Sequence, residues 1–409
     1  MKTILIVETS DLTPRPLCQS ITELGYKPLF LIALGEHAGD VQSALCECPV
    51  RYEAGWLDDE SLLQLTEKDD SIAGILTLAD LYVAPAARLA RCRGVKGLAP
   101  DIAELNSKAV LQQTMTAFCP PGLVFNTPPL DADRGALQTL LASASKLRIK
   151  PAWGTGGALQ STIADLEELN AFLDRSPARC WVAQAYLPPS RYGLYSLEGF
   201  VHQGRLHEVG ISRRRRRGTT ETGTFFPVFS DERITSSARD RMRETLQTAC
   251  ARLPVGPEAQ NFWFHAEFLI GSDGDVFWID PNLGRIGGAA ILWHLALSMS
   301  VDPALVARHF VSLTLGLAPL PHLPEPRIET ESILYILDTP VTVSRVDASD
   351  CRLPVHVCLT DPGMAVGEYA PDNWDVIGIA VGRADQNIPA EVDKIRIHSA
   401  DGRVLQPCY

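Results

Sequence analysis

Apolar and polar positions along the first hundred residues switch repeatedly between the two periods of strand and helix. The run "TILIVE" (3–8) is short and nearly all apolar, as a fully buried strand requires. Pro16 to Leu24 carries a helical pattern that stops at Gly25, and "PLFLIAL" (28–34) reads as the next strand. "IAGILTL" (72–78) predicts a further strand, and a helix over 81–92 ends before Gly94. Alternation of this kind predicts an open, mostly parallel sheet. A helix holding Lys108 is expected over 101–118, and Pro120, Pro121, Pro128 and Pro129 bracket a break after it.

From about residue 147 the pattern turns mixed. "LRIKPAW" predicts a strand, "GTGG" a glycine loop, and 162–174 a helix. Strands follow at "CWVAQAYL" (180–187), "LYSLEGFV" (194–201) and "RLHEVGIS" (205–212), the last two joined by a "HQGR" turn. The polar segment "RRRRRGTTETGT" (213–224) comes next and reads as a loop. Two uses suit five arginines there, a mobile lid over an anionic substrate or a tail for nucleic acid. A helix over 232–252 leads into the hairpin "WFHAEFLIGSDGDVFWID", then apolar helices over 289–315 and a linker over 317–326. The last 80 residues carry strand signals with Gly and Asp turns. The expected organisation is an N-terminal domain over 1–100, a central domain over 101–316 with a subdomain at about 121–190, and a C-terminal lobe over 317–409.

Composition narrows the functional classes. At 409 residues the chain has room for two or three domains, and 46% hydrophobic with 21% charged residues is ordinary for a globular protein. A formal charge of −12 argues against nucleic acid and anionic membrane as partners. No apolar run reaches the roughly 20 residues of a membrane helix, and "MKTILIVETS" reads as a first strand rather than a signal peptide. The 10 cysteines are scattered without a C-x-x-C pair, which fits incidental thiols in a reducing cytoplasm. Dinucleotide binding has no support, since "VETSDLTP" stands where G-x-G-x-x-G would follow the first strand.

Two stretches carry candidate chemistry. With a turn at Gly271 to Gly274, strand pairing places His265 opposite Asp280 and Glu267 diagonally across, all three on one face. Two carboxylates that close together require a cation between them, and Mg²⁺ commonly takes one or two carboxylates plus substrate phosphates. Asn282 adds a neutral oxygen. In "IKPAWGTGG", Lys150 at a strand end precedes a glycine loop whose N–H groups suit phosphate, although no GK[ST] closes a Walker loop. Each pattern alone equally fits a solvated hairpin face and a tight turn beside a surface lysine.

In this order the pieces resemble the ATP-grasp superfamily, specifically its carboxylate–amine ligases of the L-amino acid (dipeptide) ligase group. The segment ending "LNSKAVLQQTM" is similar to the region of the first ATP-binding lysine, here Lys108; "IKPAWGTGG" resembles the second, Lys150, with Gly154, Gly156 and Gly157 covering phosphate. "WVAQAYLPPS" resembles the adenine-holding hinge, implicating Gln184 and Leu187, and "SLEGFV" carries Glu198 as a candidate for the attacking amine. "GTTETGTFFP" is similar to the family's Thr-Glu-Thr loop, and "HAEF…WIDPNLGRIGG" to its metal-binding hairpin, implying Glu267, Asp280 and Asn282 as Mg²⁺ ligands and Arg285 as a catalytic arginine. Five positions depart from the pattern: Gln184 and Ala185 replace two acids, Leu194 a ribose-contacting Glu, and Asp280 a Glu, while Gly284 takes the place of the Arg that here follows at 285. The resemblance implies an α/β ATP-grasp fold with an N-terminal Rossmann-like domain and a small C-terminal α+β lobe. It implies ATP and Mg²⁺, with Mn²⁺ as a substitute, and small-molecule carboxylate and amine substrates, one of them an amino acid. The alternatives are a ligase acting on a polycarboxylate in siderophore or antibiotic assembly, and a nucleotide-binding protein without catalysis; a homodimer is left open.

Overall fold

The structure is a computed structural model that describes all residues except 10–12, 36, 54, 155, 156, 158, 218, 219, 289 and 368–374. Its first sheet is parallel and built from β1 (Thr3–Val7), β2 (Lys27–Ala33), β3 (Val50–Glu53) and β4 (Ile72–Leu76), in the order β3-β2-β1-β4. β1 is buried along its whole length, as its uniform apolar run requires. The third strand, the short and half-exposed β3, lacks that run and had no signal in the sequence.

A second, antiparallel sheet consists of β5 (Gly122–Asn126), β6 (Leu147–Pro151), β7 (Ser161–Ile163) and β8 (Cys180–Ala185), in the order β5-β8-β6-β7. The single helix expected over 101–118 is interrupted. Helix Pro100–Glu104 ends, and a new one, Lys108–Thr114, starts where the Ser107 side chain accepts from the Val110 N–H. Lys108 is therefore the first residue of a helix.

The largest sheet begins with β9 (Tyr192–His202), β10 (Arg205–Arg217), β11 (Thr220–Phe226), β12 (Phe262–Gly271) and β13 (Val276–Asp280). The C-terminal region adds β14 (Thr330–Tyr335), β15 (Val341–Asp347), β16 (Val355–Cys358), β17 (Ala365–Val366), β18 (Gly378–Arg383), β19 (Arg396–Ser399) and β20 (Val404–Leu405). Of these, β14, β18 and β16 extend the large sheet to eight strands, β13-β12-β9-β10-β11-β14-β18-β16, while the others form a small sheet β17-β15-β19-β20. The C-terminal lobe thus shares the central sheet.

The segment expected as a polar loop is strand. Arg213 to Arg217 lie within β10 and pair in register with Thr220 to Phe225 of β11, which rules out a free lid or tail at the arginines. The hidden signal is alternation of partners. Arg213 reaches Asp231 at 3.1 Å, Arg215 pairs with Glu331, and Arg217 meets Asp338 at 3.0 Å. Arg213 and Arg215 also lie over the Phe225 ring, at 4.7 and 5.3 Å. Five like charges fit one strand because successive side chains leave on opposite faces and acids await them.

Two cores sandwich the large sheet. Phe262, Phe264, Ala266 and Phe268 of β12 pack on one side with helix Ser236–Arg252. Trp263 packs on the other side with helices Ile291–Met299 and Pro303–Thr314. Each buried aromatic contributes roughly 1.5–3 kcal/mol, which anchors β12 while its remaining positions carry polar groups. His309 is buried here and its Nδ1 accepts from Trp263 Nε1–H at 3.2 Å. Burial first, then His202 and His207, lowers its pKa to about 4. His294 is likewise lowered to about 3 by burial and the Arg214 charge.

Both histidines fold neutral and become protonated more readily when unfolded. The unfolded chain therefore binds more protons below pH ~6.5, and stability falls with acidification. The denaturation midpoint should drop between about pH 6.5 and 4, by up to about 1.4 kcal/mol per pH unit for each histidine. His309→Gln, which retains an acceptor for Trp263, should flatten that slope in chemical denaturation at pH 7, 6 and 5. An unchanged slope would remove His309 from the effect.

Candidate active site

Three β-bulges build the site. In the hairpin, Phe268 pairs with Trp278 but Glu267 pairs with Asp280, so Ile279 is an extra residue. Without it, Asp280 would stand opposite Ala266 and point into the aromatic core; with it, Asp280 faces Glu267. The expected register, with His265 opposite Asp280, is corrected accordingly. A second bulge at Val209 on β10 turns Ser212 and Arg214 away from the side where Glu208 meets Arg239 and Arg243. A third, at Thr222 on β11, sets Glu221 opposite Arg216 and lets it reach Arg214 at 3.1 Å. One face of the sheet then carries Asp280, Glu267, His265, Glu198, Ser196, Ser212, Arg214 and Glu221.

The carboxylates are compensated from within the protein. Lys108 Nζ lies 3.0 Å from Asp280 and donates to Gly154 O at 2.8 Å. Lys150 Nζ donates to Ile279 O, the bulged residue, at 2.8 Å. The two lysines, one from a helix start and one from the second sheet, thus close onto the end of β13. Burial opposes the Lys108 ammonium, but Asp280 and Asp80 outweigh it and hold its pKa above the ordinary lysine value. Burial lowers Lys150 to about 8, helped by the neighbouring Lys108 and resisted by Asp280. Asp280 is raised, first by burial and then by Glu267 and Asp80, against the pull of Lys108.

Glu267 behaves oppositely. Burial disfavours its charge, yet the hydrogen bond from His265 and the Arg214 charge win and bring its pKa well below the usual carboxylate range. Arg214 is nearly inaccessible, with 3% of its side chain exposed; it donates to Thr224 Oγ1 at 2.6 Å, contacts His265 Nε2 and lies 3.7 Å from Glu267. His265 Nδ1 bonds both Glu198 oxygens at 2.7 and 2.8 Å. A neutral His265 accepts at Nε2 from Arg214, and a protonated one donates to Glu267, 3.4 Å away. Glu198 also accepts from Ser212 at 2.7 Å, and its side chain is 2% exposed. It lies beneath His265, so the expectation that it meets an amine directly is corrected: it orients the imidazole.

The loop after β13 completes the site. Asn282 adopts φ +44 and Gly284 φ +89, left-handed conformations that turn the chain back. Arg285 NH2 consequently reaches Asn282 Oδ1 at 2.7 Å, and its Nε lies 3.3 Å from Asp80 at the end of β4. Asn106, which the sequence did not single out, clamps the loop through both backbone groups of Leu283, at 2.8 and 2.7 Å. A Cβ on Gly287 would lie 2.5 Å from His265 Nδ1, so the loop covers the imidazole only with glycine there.

Gln184 is buried and donates to Gln112 Oε1 at 2.7 Å. Leu187 follows the end of β8, and Gly154 and Gly157 frame the loop after β6; Gly156 lies outside the described residues. The donor set fits magnesium: two carboxylates face each other, each about one-fifth exposed, at 20% and 21%. Among the described residues no group of three or more His, Cys, Asp or Glu is arranged for a metal.

Fold and site together define the class: this is the ATP-grasp fold, with an N-terminal Rossmann-like domain. Solved structures of that shape align over nearly the whole chain. The L-amino acid ligase from Bacillus licheniformis aligns at TM-score 0.73 and 16% identity, covering 98% of this chain and 99% of its own. Phosphoribosylglycinamide synthetase from Anaerococcus prevotii gives 0.70 and 14%, covering 97% and 99%. The biotin carboxylase domain of the Hydrogenobacter thermophilus 2-oxoglutarate carboxylase, solved with MgADP and bicarbonate, gives 0.71 and 14%, covering 98% and 91%. No family model and no curated protein sequence matches the chain. No helix among the described residues is long and apolar enough to cross a membrane.

The two acids should respond oppositely to neutralisation. Asp280→Asn removes a charge the site disfavours and should leave the melting temperature equal or higher. Glu267→Gln removes one of the acids that Arg214 and His265 face and should cost about 1–3 kcal/mol. Thermal unfolding of the ligand-free variants measures this, and equal losses from both would refute the electrostatic assignment.

Proposed function

We propose that the chain is an ATP-dependent ligase joining a carboxylate to an amine through an acyl phosphate, with an amino acid as one substrate. The observation that carries this reading is the closure of Lys108 and Lys150 onto the Glu267–Asp280 pair at the junction of two sheets. A carboxylate resists amines because its oxygen is a poor leaving group. Phosphorylation removes that obstacle: a carboxylate oxygen attacks the γ-phosphorus and ADP leaves. The amine nitrogen then attacks the acyl carbon, and phosphate departs as the C–N bond forms with loss of a proton.

Such a transfer depends on positioning and charge neutralisation. Lys108 and Lys150 hold the phosphates, with Gly154 and Gly157 beside them; Gln184 and Leu187 border the base. Glu267 and Asp280, with Asn282, would hold Mg²⁺, which supplies charge neutralisation at the phosphate oxygens. Lys108, which contacts Asp280, lies beside the position proposed for the phosphates. Arg285, fixed by Asn282 and Asp80, faces the reacting carboxylate. The amine-holding role passes from Glu198 to Glu221, whose carboxylate is 17% exposed and carries a pKa raised by burial. Glu198 keeps His265 in place, and Arg214 keeps Glu267 ionised. The comparisons support this reading through folds whose names denote ligases and carboxylases.

Calorimetry should detect MgATP binding that weakens at least about tenfold in Lys150→Ala, equivalent to about 1.4 kcal/mol. Phosphate release should require both an acid and an amine, screened as pairs of amino acids and small polycarboxylates with the product identified by mass. ATP binding without acid-dependent phosphate release from any pair would leave a nucleotide-binding protein and remove the ligase.

A further inference from the structure

The five arginines of β10 are not equivalent. Arg213, Arg215 and Arg217 pair with acids on the face away from the site, and Arg214 is buried against Glu221. Arg216 stands two residues beyond Arg214 and so leaves the strand on the site face. It is exposed, and among the described residues its side chain makes neither a hydrogen bond nor an ion pair. Its charge nevertheless acts on Glu221 and on Glu267. Two carboxylates lie within its field, yet both are taken by Arg214 from below. An arginine left unpaired beside two acids, in a chain of net charge −12, has kept its fork of donors available.

We propose that Arg216 is an oxyanion-binding residue at the mouth of the site, holding either the substrate carboxylate or the phosphoryl group in transfer. Both present two or three planar-accessible anionic oxygens, which a guanidinium grips with two parallel N–H bonds. The third bulge is what makes this possible. By placing Thr222 out of the ladder it seats Glu221 opposite Arg216, and Arg214 then holds Glu221 away from it. Arg216 acts from the opposite strand end to Arg285, so the two arginines approach a bound anion from different elements. The inference rests on the ligase reading above and adds a residue that the sequence left between a lid and a tail.

The test uses the full chain and the variants Arg216→Gln and Arg216→Lys, titrated by calorimetry with three probes. MgADP reports the nucleotide site, MgADP with aluminium fluoride mimics the phosphoryl in transfer, and an equimolar mixture of L-amino acids is added to protein saturated with magnesium β,γ-methylene-ATP. Arg216→Gln should leave MgADP affinity unchanged and weaken one of the other two about tenfold, with Arg216→Lys losing less. Loss on the aluminium fluoride arm assigns the phosphoryl, and loss on the amino-acid arm assigns the carboxylate. Unchanged affinity for all probes makes Arg216 a solvated side chain and overturns the proposal, as does equal weakening of MgADP in both variants. Failure of the wild-type chain to bind MgADP would overturn the ligase reading itself, and this inference with it.

Discussion

Two carboxylates directly opposite each other on neighbouring strands repel, and much of this fold is arranged around that repulsion. Asp280 and Glu267 each receive a cation from a separate part of the chain. Lys108 comes from a helix start and Arg214 from the sheet itself. The two solutions differ in strength. Glu267 is held ionised by Arg214 and His265, whereas Asp280 keeps a raised pKa despite Lys108. One acid is therefore settled and the other awaits a further positive charge. The proposed magnesium would supply that charge, since complete internal compensation would leave nothing to gain on binding.

The compensation also ties the domains together. Lys150 belongs to the small antiparallel sheet, Asp80 to the end of the parallel one, and both meet the loop and strand end around Asp280. Arg285 joins Asn282 to Asp80, and Asn106 fixes Leu283 beside them. Displacement of any of the three sheets changes the field at the carboxylates.

The β10 strand shows how one element serves stability and chemistry at once. Its outward arginines spend their charge on Asp231, Glu331 and Asp338 and cover Phe225. Its inward ones face the site. Only the pleat separates the two roles, so a run that looks uniform in composition is divided in space into a surface ladder and a charged pocket wall.

Much was legible in the sequence. The apolar runs of β1, β2 and β4, the lysine before its glycine loop, and the acids of the "HAEF…WIDPN" hairpin are local patterns with local causes, and order along the chain was enough to suggest the fold. The errors at the site arise where strands depart from strict alternation. That alternation was assumed along the hairpin and fails at Ile279, and further bulges at Val209 and Thr222 also reverse the faces of everything beyond them. A bulge is stabilised by what the re-aimed side chains then meet, such as Lys108 for Asp280 or Glu198 for Ser212, and those partners lie on other elements. For the same reason Arg213 to Arg217 looked like a loop, because the acids that make a strand of them are up to 121 positions away at Asp338. Residue types and their order were determined by the sequence alone; which face each acid and arginine occupies was decided only by the assembled sheet, since a charge settles where distant partners offset its burial.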